Sequence, residues 1–439
     1  MTELILDKYL TKIENTDFIS HSGKVTGVTG LIIEARGLHA AIGEVCNLIN
    51  NNNPHESIKT EVVGFKGDNT LLMPLGSMDG ISPDTEVITT GKPLEIPVSN
   101  ALLGRVLDGL GNPIDDKGPL LSSENRCVYN VAPHPLKRSR VKEVLPTGIK
   151  AIDGFLTCGK GQRIGIFSGS GIGKSTLMGM IARYCKADIN VIGLTGERGR
   201  EVKDFIEKDL KEGISKSVVV VSTSEQPALI RLKGAFTATT IAEYFRDKGY
   251  NVLLLLDSIT RIAIAQREVG LSIGEPPTTK GFTPSVFALL PKLLERSGMS
   301  DTGSITGFYT VLVEQGDMDE PISDAVRAIL DGHIVLSRKL AHANHYPAID
   351  ILSSISRLMI DIVPKEHNNA ARLTRDILAL HRETEDLINI GAYVRHSNPK
   401  IDHAIDMIDK INDFAEQEID LKAEYKQTIQ QLIELSKSA

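Results

Sequence analysis

The sequence predicts an α/β fold with a mainly parallel sheet, preceded by a small N-terminal β-barrel and followed by a helical C-terminal domain. Three observations predict it. Apolar strands alternate with helical segments over residues 99–360, short β-branched runs fill 21–98 between glycine and proline turns, and helical periodicity dominates 361–439. A chain of 439 residues is too long for one ordinary hydrophobic core, so two or three domains are expected.

Residues 1–20 place Ile5, Leu6, Tyr9, Leu10 and Ile13 on one stripe, which predicts a short amphipathic helix. Such a helix either packs on its own domain or serves as a docking arm, and the residues leave both open. The runs Lys24–Thr26, Leu31–Ile33, Glu61–Val63, Leu71–Met73 and Glu86–Ile88 are evenly spaced short strands, the pattern of a small barrel. Asn50–Asn53 followed by Pro54 reads as a solvated loop between two of them. In the central domain the strand candidates are Arg163–Phe167, Ile189–Leu194, Ser217–Ser222, Val252–Asp257 and Ile305–Val313. Leu373, Ile377, Leu380, Leu387 and Ile388 mark one C-terminal helix, and Ile401, Ile405, Ile408, Ile411 and Phe414 mark another.

Composition excludes several classes. Lys and Arg total 49 against 56 Asp and Glu, a net charge of -7, so the electrostatic footprint of a duplex nucleic-acid binder is missing and no nucleic-acid partner is expected. No stretch reaches the ~18–20 apolar residues of a membrane span, and the N-terminus lacks a basic signal region. The expected location is therefore the cytoplasm. Cys46, Cys127, Cys158 and Cys185 are far apart without metal-ligand spacing, and are expected to be reduced thiols, mostly buried.

The strongest motif is Ser168-Gly169-Ser170-Gly171-Ile172-Gly173-Lys174-Ser175-Thr176, placed between a predicted strand and a predicted helix. Glycines let successive backbone N–H groups turn inward around phosphate oxygens, and the helix N-terminus behind them adds partial positive charge. Lys174 then reaches the β- and γ-phosphates of a bound ATP, and the Ser175 hydroxyl sits on Mg²⁺. The strict pattern has glycine where this chain has Ser168. A glycine-rich turn with an incidental lysine is the bland alternative, and the strand–loop–helix context argues against it.

Asn251–Asp257 is an apolar run ending in one carboxylate, as a buried parallel strand would, and Asp257 falls where ligands of open α/β sheets collect. It is the candidate Mg²⁺ acid. Glu197, first in Glu197-Arg198-Gly199-Arg200-Glu201 after a neighbouring strand, is the candidate for activating the attacking water. Arg198 beside it is placed to steady transferred charge. In isolation the hexapeptide Gly196–Glu201 reads as a salt-bridged surface turn.

These residues, together with Leu102–Gly109, Asp153–Thr157, Ile241–Asp247, Leu330–Arg338, Pro347–Asp350 and Ser354–Arg357, resemble the rotary-ATPase α/β superfamily, and within it the export ATPases of flagella and injectisomes. The likeness covers about residues 20–395. It implies a barrel, a P-loop (RecA-like) nucleotide-binding domain and a helical domain, with Lys174, Glu197, Arg198 and Arg357 as catalytic residues. It also implies that Gly169–Thr176 and Tyr346 hold ATP, the tyrosine against adenine, and that Ser175 and Asp257 hold Mg²⁺. Arg357 matches an arginine finger inserted into a neighbouring subunit's site.

The resemblance further implies a homohexamer, peripheral at the inner face of the cytoplasmic membrane. Its implied partners are regulatory or stator and central-stalk proteins, chaperone–substrate complexes and the export gate. A flagellar-type export motor is the favoured reading, with Leu387–Tyr393 resembling the flagellar branch more closely. An injectisome ATPase, an F-type synthase catalytic subunit and an RNA translocase are the rivals. Glu197, rather than an amide, argues against a non-catalytic subunit.

Overall fold

The computed structural model describes residues 21–49, 57–122, 124–313 and 317–438. The amphipathic helix expected over 1–20 and the loop expected at Asn50–Pro54 lie outside them. Contacts divide the chain into two units, one made of the N-terminal barrel with a short segment at Val269–Glu275, the other of the remaining chain.

The barrel has six strands: β1 (Ser22–Thr29), β2 (Ile32–Arg36), β3 (Glu44–Ile49), β4 (Ser57–Lys66), β5 (Asn69–Pro74) and β6 (Glu86–Pro93). They close in the order β1-β2-β5-β4-β3-β6, every pair antiparallel. Alternation explains the closure, since residues two apart point to one face. Val25, Ile33, Ala35, Cys46, Leu48, Val62, Leu72 and Val87 fill the interior.

In the larger unit, β7 (Glu95–Val98) pairs with β9 (Glu124–Cys127), outside the main sheet. That sheet contains β8 (Val106–Asp108), β10 (Arg163–Ser168), β11 (Ile189–Thr195), β12 (Ser217–Ser222), β13 (Asn251–Asp257), β14 (Gly298–Met299), β15 (Ser304–Leu312), β16 (Gly332–Val335) and β17 (Ile355–Ser356). The order is β17-β16-β10-β15-β13-β11-β12-β8, with β14 beside β15. Only the pairs β14/β15 and β16/β17 are antiparallel. Every residue of β11 and β12 is buried, as a parallel strand covered on both faces requires. The five strands expected from sequence appear, shifted by at most one residue at an end.

Helix Ala228–Asp247 carries an ion pair under this sheet. Arg296 donates to both Glu243 oxygens at 2.9 and 2.7 Å, with both side chains 1% exposed. Arg296 also donates to the Val128 carbonyl and the Thr240 hydroxyl, so its charge and its directional bonds are matched.

The C-terminal helices are Lys365–Asn389, Pro399–Ala415 and Tyr425–Lys437. Their core residues Ala370, Ala371, Phe414 and Leu432 join the same cluster as Ile152 and Phe155 of helix Lys150–Phe155. Phe414 meets Phe155 edge to face at 5.7 Å between centroids. The buried face of helix Lys365–Asn389 departs from the apolar positions that mark it in the sequence. Leu373 and Leu387 are exposed, whereas His367, Ala370, Ala371 and Thr374 face inward. Small residues let this helix approach closely enough for His367 to hydrogen-bond the Gly154 carbonyl at 2.8 Å.

All four cysteines are free; Cys46, Cys158 and Cys185 are buried and Cys127 partly so. No described helix is long and apolar enough to cross a membrane.

Candidate active site

β10 delivers the glycine loop at its C-terminal end, and helix Lys174–Tyr184 follows at once. Gly171 and Gly173 take φ of 76° and 87°, the left-handed region that glycine enters without strain. Gly173 stands at the helix N-cap. Ser168 needs no such freedom. It is the last residue of β10, in register with Leu312 of β15, so its backbone is ordinary strand and a serine fits where the strict motif has glycine. Its hydroxyl is buried without a hydrogen-bond partner among the described residues.

Three predicted residues converge here. Lys174 Nζ lies 2.5 Å from Asp257 Oδ1 and 3.4 Å from Glu197 Oε1. Asp257 closes β13, Glu197 follows β11, and these two strands are neighbours. The Thr310 hydroxyl fixes the Asp257 carboxylate with a 2.6 Å bond. Burial works against the charge on Lys174, but the carboxylates of Asp257 and Glu197 outweigh it and hold the ammonium above its usual pKa. Burial raises the Glu197 carboxyl, Lys174 opposes the rise, and Glu201 adds to it; the net shift is upward.

A cavity of about 1110 Å³ opens over this cluster, lined by the loop together with Glu197 and Arg198. Ser175 is exposed on it. Thr176 lines it too, and its hydroxyl bonds to Asp209. Ile172 turns its side chain into the core, leaving only backbone to the loop. Arg198 is 83% exposed, its nearest acid Glu201 at 3.9 Å. Among the described residues no group of three His, Cys, Asp or Glu side chains forms a metal cage. The Ser175 hydroxyl and the Asp257 carboxylate are nonetheless hard oxygen donors of the kind suited to Mg²⁺, which takes one or two protein ligands and draws the rest from phosphate and water.

Asp257 and Ile172 are buried behind the lining, and two further predicted residues, Tyr346 and Arg357, stand apart from it. Tyr346 is 41% exposed, and a Cβ placed on Gly173 would lie 3.5 Å from its ring, so the ring flanks the loop. Its carbonyl accepts the Gln417 backbone N–H at 3.0 Å, and the Gln417 side chain bonds Lys150 N–H and the Gly148 carbonyl. Arg357 is at the far end of the sheet. Its N–H donates to the Asp331 carbonyl, and the Asp331 N–H donates to Arg163 at the start of β10.

Sequence reasoning missed the cationic wall. Arg261, Arg267, Lys280 and Arg338 line the cavity from three separate segments. Arg338 Nη2 would stand 3.2 Å from a Cβ on Gly169, against the loop itself. Arg261, four residues past Asp257, was the one findable by position, since a helix begins at Ile259 directly after β13.

Comparison with known proteins follows the same lines. Family models match three segments: "ATP synthase alpha/beta family, beta-barrel domain" over 25–91, "ATP synthase alpha/beta family, nucleotide-binding domain" over 148–356, and "T3SS EscN ATPase C-terminal domain" over 363–434. The chain is 52% identical to the flagellum-specific ATP synthase of Bacillus subtilis over 425 residues, 97% of each chain. It is 49% identical to the type 3 secretion system ATPase of Xanthomonas euvesicatoria over 418 residues, 95% of this chain and 94% of that one. The assembled ATPase EscN of the enteropathogenic E. coli type III secretion system superposes with a TM-score of 0.89 at 46% identity, covering 94% of this chain and all of the other. EscN in complex with its central stalk EscO gives 0.87 at the same identity and coverage.

Proposed function

The chain belongs to the ATP synthase alpha/beta family, in the group that holds flagellum-specific ATP synthases and type III secretion ATPases, and from that premise we propose that it is the hexameric, ATP-hydrolysing motor subunit of a flagellar-type protein export apparatus. The observation that carries the reading is the convergence of Lys174, Glu197 and Asp257 beneath a glycine loop.

In turnover Lys174 exchanges its carboxylate partners for the β- and γ-phosphates, where its charge offsets that developing on the transferred group. Glu197, released from that pairing, accepts the proton of the water that attacks the γ-phosphorus, and ADP leaves. Its raised pKa makes it a better base than a solvated glutamate. Arg198 would face the γ-phosphate, Ser175 and Asp257 would hold Mg²⁺, and Tyr346 would pack on adenine. Bound Mg²⁺ neutralises phosphate charge. Arg357 serves the adjoining subunit.

Hydrolysis is coupled through the C-terminal helices to release of export substrates from chaperones and their passage to the export gate. The subunit works in the cytoplasm, peripheral to the membrane, with stator and central-stalk proteins. The stretch Leu387–Tyr393 favours a flagellar over an injectisome system. Glu197→Gln provides the test: MgATP binding should persist while turnover falls at least ~100-fold. Retained turnover would remove Glu197 from the mechanism.

A further inference from the structure

Parallel strands give the sheet two unlike ends. At the C-terminal end, past β15, comes Asp317-Met318-Asp319-Glu320, three acids in four residues. The Asp319 side chain is 89% exposed, with Arg327 no closer than 3.6 Å. Asp317 is half exposed, 3.8 Å from Lys280. At the N-terminal end a second cavity, of about 580 Å³, opens around the start of β10. Arg138 and Arg163 wall it, both paired with Glu295, and Arg163 also holds Asp331. Arg140 and Lys142 line it from an exposed stretch, and neither has an acidic partner among the described residues. Leu358, next to Arg357, belongs to the same wall.

We infer that Arg140 and Lys142 dock on Asp317 and Asp319 of an adjoining copy of this chain, setting the register in which Arg357 enters that copy's phosphate site. The inference rests on the ring-forming reading above. A head-to-tail interface joins unlike surfaces, and a ring closes only if the same unlike pair repeats at every junction. Here the cationic surface lies beside the arginine that must cross the junction, and the acidic one beside the loop it must reach. Opposite charge between the Arg140/Lys142 stretch and the exposed Asp317/Asp319 pair steers productive encounters, whereas the cationic wall of the phosphate cavity repels the same stretch from contacts of the wrong register. Exposed pairs contribute little stability individually and are screened by salt, so the effect lies in assembly and register.

Charge reversal of the full-length chain tests this. Arg140→Glu with Lys142→Glu, Asp317→Lys with Asp319→Lys, and all four together would be compared with wild type. The measurements are sedimentation, ATPase rate against protein concentration and salt, and binding of a fluorescent ATP analogue to dilute protein. Each pair of reversals should raise the concentration for half-maximal ATPase by about tenfold or more, with nucleotide binding unchanged. The fourfold variant should return most of the way to wild type. Unaltered concentration dependence in either pair, or a fourfold variant no better than its halves, overturns the pairing while leaving the motor reading intact. A Lys174→Ala control that still hydrolyses ATP would instead overturn that reading itself.

Discussion

Arg357 and Lys174 stand at opposite ends of β10. The first is tied through Asp331 to Arg163, where the strand begins, and the second opens the helix beyond Ser168, where it ends. Five steps of about 3.3 Å separate those ends by about 16 Å, before the loop is counted. An arginine side chain does not span that distance, so Arg357 is not built to act on its own subunit's phosphates.

On the proposed function, each site would take its finger from next door. Arg357→Ala and Lys174→Ala proteins, each inactive, should recover measurable ATPase activity when mixed, because some junctions then combine an intact finger with an intact loop. Rings that form on mixing yet stay silent would exclude a finger in trans.

If Glu197 is the proposed base, the acid limb of the pH profile should belong to it. Burial holds its carboxyl above the ordinary range, so it becomes protonated, and useless as a base, at a higher pH than the ~4.3 of a free glutamate. Turnover should thus fall as pH drops through this raised pKa and recover as pH rises. Rate profiles of wild type and Glu197→Gln check it, since the residual rate of the variant should lack this limb.

Removing one partner of the Arg296–Glu243 pair strands a buried charge. Glu243→Ala should cost about 3–5 kcal/mol of stability, read from urea unfolding, and Arg296→Ala a similar amount. Replacing both with apolar residues of similar volume should cost far less than the sum.

Gln417→Ala should strike both stability and nucleotide affinity. The side chain satisfies Lys150 N–H and the carbonyls of Gly148 and Leu421, so its loss costs about 1–3 kcal/mol. The Gln417 backbone N–H bonds the Tyr346 carbonyl, and the side chain is what anchors that backbone to Lys150 and Gly148, so KM for ATP should rise several-fold while kcat changes less. A kcat loss with unchanged KM would contradict a role through the adenine side.

Much of this was legible in the residues. Lys174, Glu197 and Asp257 could be placed together because strand ends in a parallel sheet share one edge, and apolar runs such as Val252–Leu256 announce buried strands. The barrel followed from evenly spaced β-branched runs between glycine and proline turns. Arg338 and Lys280 were not legible, since they reach the loop from segments with no motif and only the tertiary fold brings them there. The inward face of helix Lys365–Asn389 was hidden for a different reason: hydrophobicity points to leucine, whereas close packing on Gly154 selects alanine, threonine and histidine.

The directionality of the sheet has a genetic corollary. In the proposed ring every protomer would lend a group on one side and borrow one on the other, so the circle would have a sense of rotation even before any nucleotide arrives. Two kinds of lesion then differ in whom they harm: a broken loop silences its own bearer, and a broken finger silences an otherwise healthy neighbour. In cells carrying both normal and altered copies, either defect poisons mixed assemblies in proportion to its dose, and the victim's identity distinguishes them.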